Sequence, residues 1–366
     1  MDVRRWVLVT DGGHGGSRDC IAAVRALHAS GYDSVVTVSE GTSRASASRY
    51  SKQRVHVPHV NEPGYVEGIE REFGRRSYLL VLPTSEASLL ALGGPNLHLT
   101  DKSKLEAAAA DAGIDVPRSD VFAGLDDVLA QADDLRYPVV VKPTIRTFSA
   151  VRVNSPAQLS ALPVGGDGGE ILVQEWVDDQ LHAVSGVMWK GRLIAATFER
   201  WLRIWPVGCG LASAAVTTPP DPELEAKLVR LLGDYQGIFC AQFAGSRLID
   251  LNLRIHSSHS LAVKAGTNLV AIYCDLLNGM AVPRTRGKAG CFYRWLEGDI
   301  RHLADGYRSK RMSLAAVGRA LMPRRGAAHS IESLLDPAPL LTRLAYGAGR
   351  VGMSPEQRKQ SPLTYR

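Results

Sequence analysis

The sequence has few cysteines, few aromatic residues and no long apolar run. None of its five cysteines stands in a CxxC pair, which argues against a structural zinc site and for a reducing compartment. We therefore expect a cytoplasmic protein. No apolar run approaches the roughly 20 residues that a membrane-spanning helix needs. Aromatic residues make up 7% of the chain and do not interleave with the basic residues, so we expect no nucleic-acid binding by base stacking.

Negative charge is scarce in the last quarter of the chain. The net charge is +6, but residues 284–366 hold 16 Lys and Arg against 6 Asp and Glu, whereas the preceding 283 residues hold 27 basic and 31 acidic groups. We predict a basic helical extension over 284–366. A solvated helical face is the simpler interpretation of this tail. The alternative is a surface for peripheral contact with membrane lipids or with an acidic partner.

The first hundred residues alternate apolar strands with amphipathic helices. The segments "WVLVTD", "DSVVTVS" and "YLLVLP" are typical of strands, and "SRDCIAAVRALHASG" is typical of a helix. This order predicts a doubly wound parallel sheet, that is, a Rossmann-like domain over 1–100. The glycine turn "DGGHGG" and Glu40 raise the alternative of a nicotinamide site, but the turn lacks the GxGxxG spacing.

From Asp101 onward the pattern changes to antiparallel pairs with interleaved helices. "DKSKLEAAAADAGIDVP" predicts a helix that is capped by Asp101 and stopped by Gly113. "YPVVVKP" is an apolar strand that ends in Lys142, and "EILVQEWVDD" is a strand that runs out at Glu175. Each charged residue alone is compatible with an ordinary strand end, where a lysine extends to water. The order predicts an α+β architecture.

The stretch "RLIDLNLRIHSSHS" alternates apolar and polar residues, which predicts a half-buried strand. Its polar face carries an acid, an amide and a cation in order: Asp250, Asn252 and Arg254. Such a face can hold a metal ion and the phosphates that the ion bridges, although a solvated strand face is the alternative. A three-residue loop over 245–247 would place Gln242 directly opposite Asp250 on the same face.

The order of these motifs resembles the ATP-grasp superfamily, particularly its carboxylate–amine ligases and its carbamoyl-phosphate-synthetase-like branch. The resemblance covers Val7 to about Gly279. It implies a Rossmann-like domain over 1–100, a small lobe over 101–180 and a large lobe over 181–283, followed by the basic extension over 284–366. It also implies an ADP-forming ligase that joins a carboxylate to an amine through an acyl phosphate, with ATP and Mg²⁺ as cofactors.

The resemblance assigns most ATP contacts to the small lobe and to the hinge between the lobes. They are Lys102 near the phosphates, Lys142 at a phosphate or at a purine ring nitrogen of the nucleotide, Glu175 at the adenine amino group, the main chain of Trp176 and Val177 at the rest of the adenine, and His182 at the ribose.

The resemblance places the metal and the reacting groups on the large lobe. It implies that Gln242, Asp250 and Asn252 bind Mg²⁺, and Asp250 is the only full charge among them. Arg254 would contact the transferred phosphoryl group. Arg203, with Arg200 beside it, would close over the triphosphate or the carboxylate, because guanidinium suits bidentate contacts.

One departure from the family pattern concerns the phosphate loop. The family carries a glycine-rich loop after the lysine strand, whereas "TIRTFSAVRV" contains no glycine. Glycine permits the backbone conformations that let amides surround a phosphate. Side chains of Arg146, Thr147 and Ser149 would have to replace those amides. The alternative function is therefore a catalytically degenerate ATP-grasp protein that binds a ligand or acts as a scaffold. A homodimer is compatible with the sequence.

Overall fold

The structure, a computed structural model, describes residues 4–10, 18–39, 43–94, 96–145, 148–162 and 169–351, with residues 346–351 described by backbone alone. The glycine turn at 11–16, Glu40, Arg146 and Thr147 lie outside the described residues. Three sheets organise this part of the chain. Within the described ranges, no helix has both the length and the apolar character to cross a bilayer.

The first sheet is parallel, as predicted, with the strand order β3-β2-β1-β4. Its strands are β1 (Trp6–Val9), β2 (Asp33–Val38), β3 (Ser51–His56) and β4 (Tyr78–Leu82). The sequence interpretation omitted β3, because its polar sequence "SKQRVH" lacks the apolar pattern of a central strand. It lies at the sheet edge, where its side chains remain largely in contact with water. Helices α1 (Arg18–His28), α2 (Tyr65–Phe73) and α3 (Glu86–Leu92) accompany this sheet.

The second sheet is antiparallel, with the order β5-β8-β6-β7. Its strands are β5 (Ser119–Phe122), β6 (Val139–Pro143), β7 (Val151–Val153) and β8 (Ile171–Glu175). Helix α4 (Lys102–Asp111) precedes it, and α5 (Leu125–Ala130) and α6 (Pro156–Ser160) cover one face. As predicted, the Asp101 carboxylate caps α4 by accepting the amide hydrogen of Ser103 at 3.0 Å, and Gly113 follows the helix with φ +73°.

The third and largest sheet has the main order β13-β12-β9-β10-β11-β15-β16, and β14 also pairs with β10. The strands are β9 (Leu181–Trp189), β10 (Arg192–Trp205), β11 (Leu211–Thr218), β12 (Gly237–Ala244), β13 (Arg247–Asn252), β14 (Thr285–Arg286), β15 (Phe292–Arg294) and β16 (Ala328–His329). Its helices are α7 (Pro222–Leu232), α8 (His259–Lys264) and α9 (Leu269–Leu277). The largely apolar stretch "SHSLAVKAGTNLVAIYCDLLNG", which spans α8 and α9, predicts one long helix. That prediction is wrong, because Gly266 with φ +94° ends the first segment and Asn268 caps the second.

The segment after residue 284 is less separate than predicted. It contains helices α10 (Leu296–Arg308), α11 (Leu314–Leu321) and α12 (Ala338–Val351), but β14, β15 and β16 add to the large sheet. These strands have two or three residues each, too short to leave a clear period-two pattern. The segment also reaches the first sheet, where the fully buried Asp336 accepts from Arg25 Nε at 2.9 Å and from Ser48 Oγ at 2.8 Å. The domain boundaries stay predictions.

Candidate active site

The β12–β13 hairpin sets the predicted metal ligands side by side. Gln242 lies opposite Asp250 in the register, as predicted, but the loop between the strands is a two-residue turn at 245–246. The register shifts next to Gln242, which leaves Ile249 as an extra residue on β13. This bulge restores the pairing that a two-residue turn would otherwise displace by one position. The predicted three-residue loop is therefore wrong, although the pairing that it was meant to explain is present.

The three side chains on this hairpin provide an oxygen-rich platform. Asn252 Nδ2 donates to Asp250 Oδ2 at 2.8 Å, so the amide oxygen of Asn252 and the second carboxylate oxygen point elsewhere. Carboxylate and amide oxygens are hard ligands that suit Mg²⁺, especially when phosphate oxygens complete its shell. In the described part of the chain, no cluster of three His, Cys, Asp or Glu side chains could hold a metal. The oxygen donors of Gln242, Asp250 and Asn252 fit one Mg²⁺ whose shell is completed by phosphate oxygens.

Lys102 lies next to this platform at the start of α4. Its Nζ is 3.8 Å from Asp250 Oδ1 and 3.9 Å from Glu86 Oε1. The contact of Lys102 with nucleotide phosphates stays a prediction. Glu86 belongs to α3 of the first sheet, so residues of three separate segments meet at Asp250. The sequence pattern around Glu86 gave no signal for this contact.

Lys142 connects the second sheet to the third. Its Nζ donates to Gln174 Oε1 on β8 and to the main-chain oxygen of Ile249 on β13, both at 2.9 Å. The extra residue of the β13 bulge therefore provides one of the two acceptors. Burial lowers the pKa of Lys142 to about 8, against the opposing effect of the Asp250 carboxylate. A buried ammonium without a carboxylate in direct contact is well suited to receive an anion.

The predicted adenine contacts are engaged in other interactions. Glu175 Oε1 accepts from Arg247 at 2.8 Å, so the carboxylate pairs across the space between β8 and β13. The Trp176 amide donates to the Pro138 oxygen at 3.2 Å and is not available to a ligand in this arrangement. The adenine contact of the Trp176 main chain stays a prediction. Val177 is half-buried, and its predicted adenine contact stays a prediction.

His182 lies on β9, opposite Phe243 and next to the β12–β13 turn. Its Nε2 forms a hydrogen bond with the main-chain oxygen of Gly245, and its ring stacks on Phe243 with 5.0 Å between centroids. These contacts hold the turn of the hairpin that carries the metal platform. The predicted ribose contact of His182 stays a prediction.

The space between the second sheet and the β12–β13 hairpin is narrow. A cavity of about 10 Å³ lies there, and its lining includes Lys102, Lys142, Gln174 and Ile249. This volume has room for about one water molecule. The two sheets are therefore in contact across the predicted nucleotide site, through the Lys142 and Arg247 interactions.

Comparison with solved structures bears directly on this arrangement of sheets. The L-amino acid ligase of Bacillus licheniformis is similar with a TM-score of 0.57 and 16% identity, over 76% of this chain and 75% of that one. The biotin carboxylase domain of Hydrogenobacter thermophilus 2-oxoglutarate carboxylase, crystallised with MgADP, ADP and bicarbonate, gives 0.59 and 15%, over 80% and 74%. The Staphylococcus aureus N5-carboxyaminoimidazole synthetase, complexed with ADP, gives 0.59 and 11%, over 78% and 80%. This chain has the ATP-grasp fold.

Comparison of sequences adds a relative that matches part of the chain. No family model matches the chain. The large chain of carbamoyl phosphate synthase from Archaeoglobus fulgidus is 27% identical over 176 residues, which is 43% of this chain. The matched region spans 14% of that enzyme's length. The solved structures confirm the predicted ATP-grasp fold. We name the second sheet the small lobe, the third sheet the large lobe, and the space between them the cleft, although the predicted domain boundaries stay predictions.

Arg203 is engaged in an ion pair with a buried acid. Its guanidinium binds the carboxylate of Asp299, with NH2 at 3.1 Å from Oδ2, and Arg294 Nε lies 3.2 Å from the same oxygen. Asp299 is fully buried on α10. The charge of Arg203 thus neutralises a buried acid almost a hundred residues away in sequence, which the sequence interpretation did not include. The closing role of Arg203 stays a prediction. Arg200 is exposed, and its closing role stays a prediction.

Arg254 is also engaged away from the metal platform. It is buried, and its NH1 donates to Asp19 Oδ2 on α1 and to the Ile255 oxygen, both at 2.9 Å. The guanidinium thus ties the end of the platform strand to the first sheet's helix. The sequence prediction of a free phosphate contact did not include this pair. Ser149, the predicted substitute for a glycine amide, is exposed on the segment before β7.

Arg152 is a cleft residue that the sequence interpretation missed. On β6 and β7 the side chains of Val139, Val141 and Val153 enter the small-lobe core, so the residues that alternate with them face the cleft. Arg152 lies on that face, with its guanidinium 4.3 Å from the centroid of the Trp176 ring. The alternation of Arg152 with Val151 and Val153 was the sequence signal that could have identified it as a cleft residue.

Glu199 is a second missed residue, on β10 within the large lobe. The register places Glu199 beside Ala183, which lies beside Gln242, so Glu199 shares the sheet face of the metal platform. Its Oε1 accepts from Trp201 Nε1 and from Ser258 Oγ, both at 2.9 Å. Burial raises the pKa of Glu199 to about 7. In "FERWLRIW" this acid looks like any charged residue between aromatic ones.

Proposed function

We propose that this chain is an ATP-dependent, ADP-forming ligase that joins a small-molecule carboxylate to an amine through an acyl phosphate. The observation that carries the proposal is the placement of Lys142 and the Gln242–Asp250–Asn252 platform on facing lobes of one cleft. The relatives support it, since their names include an L-amino acid ligase and a carbamoyl phosphate synthase, and two of the structures contain ADP.

The proposed reaction has two group transfers. The γ-phosphoryl group of ATP moves to a carboxylate oxygen, and ADP leaves. The amine nitrogen then bonds to the acyl carbon, phosphate leaves with the former carboxylate oxygen, and the nitrogen loses a proton. Catalysis by the chain rests on positioning and electrostatics, so it requires no dedicated general base.

The residues of the cleft divide this work. Lys142 and Lys102 offset phosphate charge from the small-lobe side, and Asp250, Gln242 and Asn252 hold the metal from the large-lobe side. When bound, Mg²⁺ neutralises charge on the phosphate oxygens. Glu175 contacts the adenine once its pair with Arg247 opens. The free thiols of Cys209, Cys240, Cys274 and Cys291 support the proposed cytoplasmic location.

The test is ADP release from ATP and Mg²⁺ in the presence of pooled carboxylates and amines. We expect Asp250→Ala to abolish ADP formation, because it removes the only full negative charge of the platform. Asp120→Ala removes an exposed carboxylate on β5 and is the matched control. If Asp250→Ala retains ADP formation within a few-fold of the wild type, the metal assignment is wrong.

The second candidate function is ligand binding or scaffolding without turnover. The glycine-free loop and the narrow cleft favour it, because a nucleotide must separate contacts that now join the lobes. Calorimetric titration of ATP with and without Mg²⁺ distinguishes the two functions. Absence of binding at millimolar ATP would rule out the ligase activity and favour the catalytically degenerate protein.

A further inference from the structure

Residues 300–325 form a strongly basic stretch that the proposed ligase activity does not use. We name this stretch, which covers most of α10, all of α11 and the following turn, the C-terminal basic surface. It holds seven Lys and Arg residues and one Asp, a net charge of +6. This equals the net charge of the whole chain. Positive charge of this density attracts anionic surfaces over about one Debye length.

Large apolar side chains are exposed on the same stretch. Leu314 is 69% exposed, Met322 62%, Tyr307 51% and Ile300 48%. Helix α11 has no buried residue, although Arg319 is its only charged one. A solvated face, the simpler interpretation of the sequence, does not explain this composition, because water-facing helices usually carry polar side chains.

Helix α11 is held firmly in this exposed position. Arg294 on β15 donates to the main-chain oxygen of Ala320 at 2.6 Å and to that of Leu321 at 3.2 Å. The same guanidinium lies 3.2 Å from the buried Asp299. These contacts fix the C-terminal end of α11 to the large lobe. The apolar residues are therefore presented outward by the folded protein.

We propose that the C-terminal basic surface docks on an anionic lipid bilayer. Apolar side chains of a surface helix enter the boundary between headgroups and acyl chains, while adjacent cations bind anionic headgroups. Leu314 and Met322 provide the apolar contact, and Arg308, Arg319 and Arg325 are exposed cations on the same stretch. Contact of this kind is peripheral.

Charge favours an anionic bilayer over two other possible occupants of the C-terminal basic surface. A two-fold dimer through the same surface would bring two stretches of net charge +6 together, which is unfavourable. The remaining C-terminal residues, 352–366, carry three basic groups and one acidic group, so their charge does not complement the surface. An anionic bilayer satisfies both the charge and the exposed apolar side chains.

Co-sedimentation with lipid vesicles tests the proposal on the full chain. We expect binding to vesicles that contain phosphatidylglycerol and little binding to pure phosphatidylcholine. Raising the salt concentration from about 0.1 to about 1 M should weaken binding, since the Debye length falls from about 10 to about 3 Å. Equal binding to both vesicle types, or none to either, would overturn the proposal.

Variants assign the contact to the surface. Each arginine near an anionic bilayer strengthens partitioning by about fivefold, so Arg308→Glu, Arg319→Glu and Arg325→Glu together should weaken it by more than about a hundredfold. Leu314→Ser should weaken it without changing the charge. The controls are Arg71→Glu and Val121→Ser, which change an exposed cation and an exposed apolar side chain elsewhere. Thermal unfolding checks that each variant folds.

Three outcomes would replace the proposal with another. Vesicle binding that the surface variants leave intact would place the lipid contact elsewhere. Binding to polyglutamate without binding to anionic vesicles would assign the surface to an acidic protein. A dimer in sedimentation velocity that Leu314→Ser dissociates would assign it to a second copy of the chain.

Discussion

The side chain of Lys142 donates a hydrogen bond to the main-chain oxygen of Ile249 at 2.9 Å, and this contact joins the two lobes of the cleft. Ile249 is the extra residue of a β-bulge, so the acceptor is a carbonyl group that regular pairing would have used differently. The lysine predicted to bind phosphate is thus held by neutral acceptors. A nucleotide phosphate can take the place of this carbonyl oxygen and give the Lys142 ammonium a charged acceptor.

Replacement of Lys142 should weaken nucleotide binding. We expect Lys142→Ala to raise the dissociation constant of ATP with Mg²⁺ by about tenfold to a hundredfold, because hydrogen bonds to charged groups contribute about 1.5–3 kcal/mol. Isothermal titration calorimetry measures this change. Lys104→Ala, on the exposed side of α4, is the control and should bind ATP as the wild type does. Unchanged affinity in Lys142→Ala would remove this lysine from the site.

The Glu175–Arg247 pair should act as a weak obstacle to ATP. The pair is more than a third exposed on both sides, so it contributes little to stability. We expect Arg247→Ala to lower the KM for ATP by a few-fold, because it frees the Glu175 carboxylate. Glu175→Ala should raise the KM. If steady-state kinetics show both variants moving the KM in the same direction, Glu175 is not an adenine contact.

Arg203 should prove structural. Arg203→Ala leaves the buried Asp299 with fewer cationic partners, and we expect the free energy of unfolding to fall by about 3 kcal/mol. Chemical denaturation measures this loss. Arg200→Ala, which changes an exposed neighbour, should alter stability by less than about 0.5 kcal/mol. An Arg203→Ala variant with wild-type stability and no ADP formation would return Arg203 to the active site.

Glu199 should make stability depend on pH. Burial raises the pKa of Glu199 from the ordinary 4.5 to about 7, so the folded state binds this proton more tightly than the unfolded chain does. The stability from the protonated form is therefore present at low pH and is lost as pH rises toward and through 7. Between about pH 5 and pH 8 we expect the wild type to lose about 2 kcal/mol relative to Glu199→Gln.

Denaturation of both proteins across this pH range checks the prediction. Glutamine keeps an oxygen acceptor for Trp201 and Ser258 but does not titrate, which makes it the matched variant. A stability difference between the two proteins that is constant with pH would mean that Glu199 titrates near its ordinary value.

Motifs with local signals were largely predictable. The Asp101 cap, the turn at Gly113 and the alternation around Asp250 each follow from interactions within a few residues, and the structure contains all three. The pairing of Gln242 with Asp250 was also predictable, because a short hairpin leaves few possible registers. The bulge at Ile249 was not predicted, although the successive apolar residues Leu248 and Ile249 interrupt the period-two pattern there.

The ion-pair partners of the candidate site residues could be identified only from the tertiary structure. Arg203 meets Asp299, Arg254 meets Asp19, and Glu175 meets Arg247, each across a long separation in sequence. The spacing of residues along the chain does not show which of them form such pairs.

The sequence by itself determined local features such as the Asp101 cap and the polar face of β13, because periodicity and turn chemistry are local properties. The ATP-grasp architecture was implied by the resemblance of its motifs to that superfamily. Only the tertiary structure decided which charges are available to a ligand. Side chains such as Lys142 and Arg203 find their partners when separate segments pack together, and burial then sets the cost of leaving them unpaired.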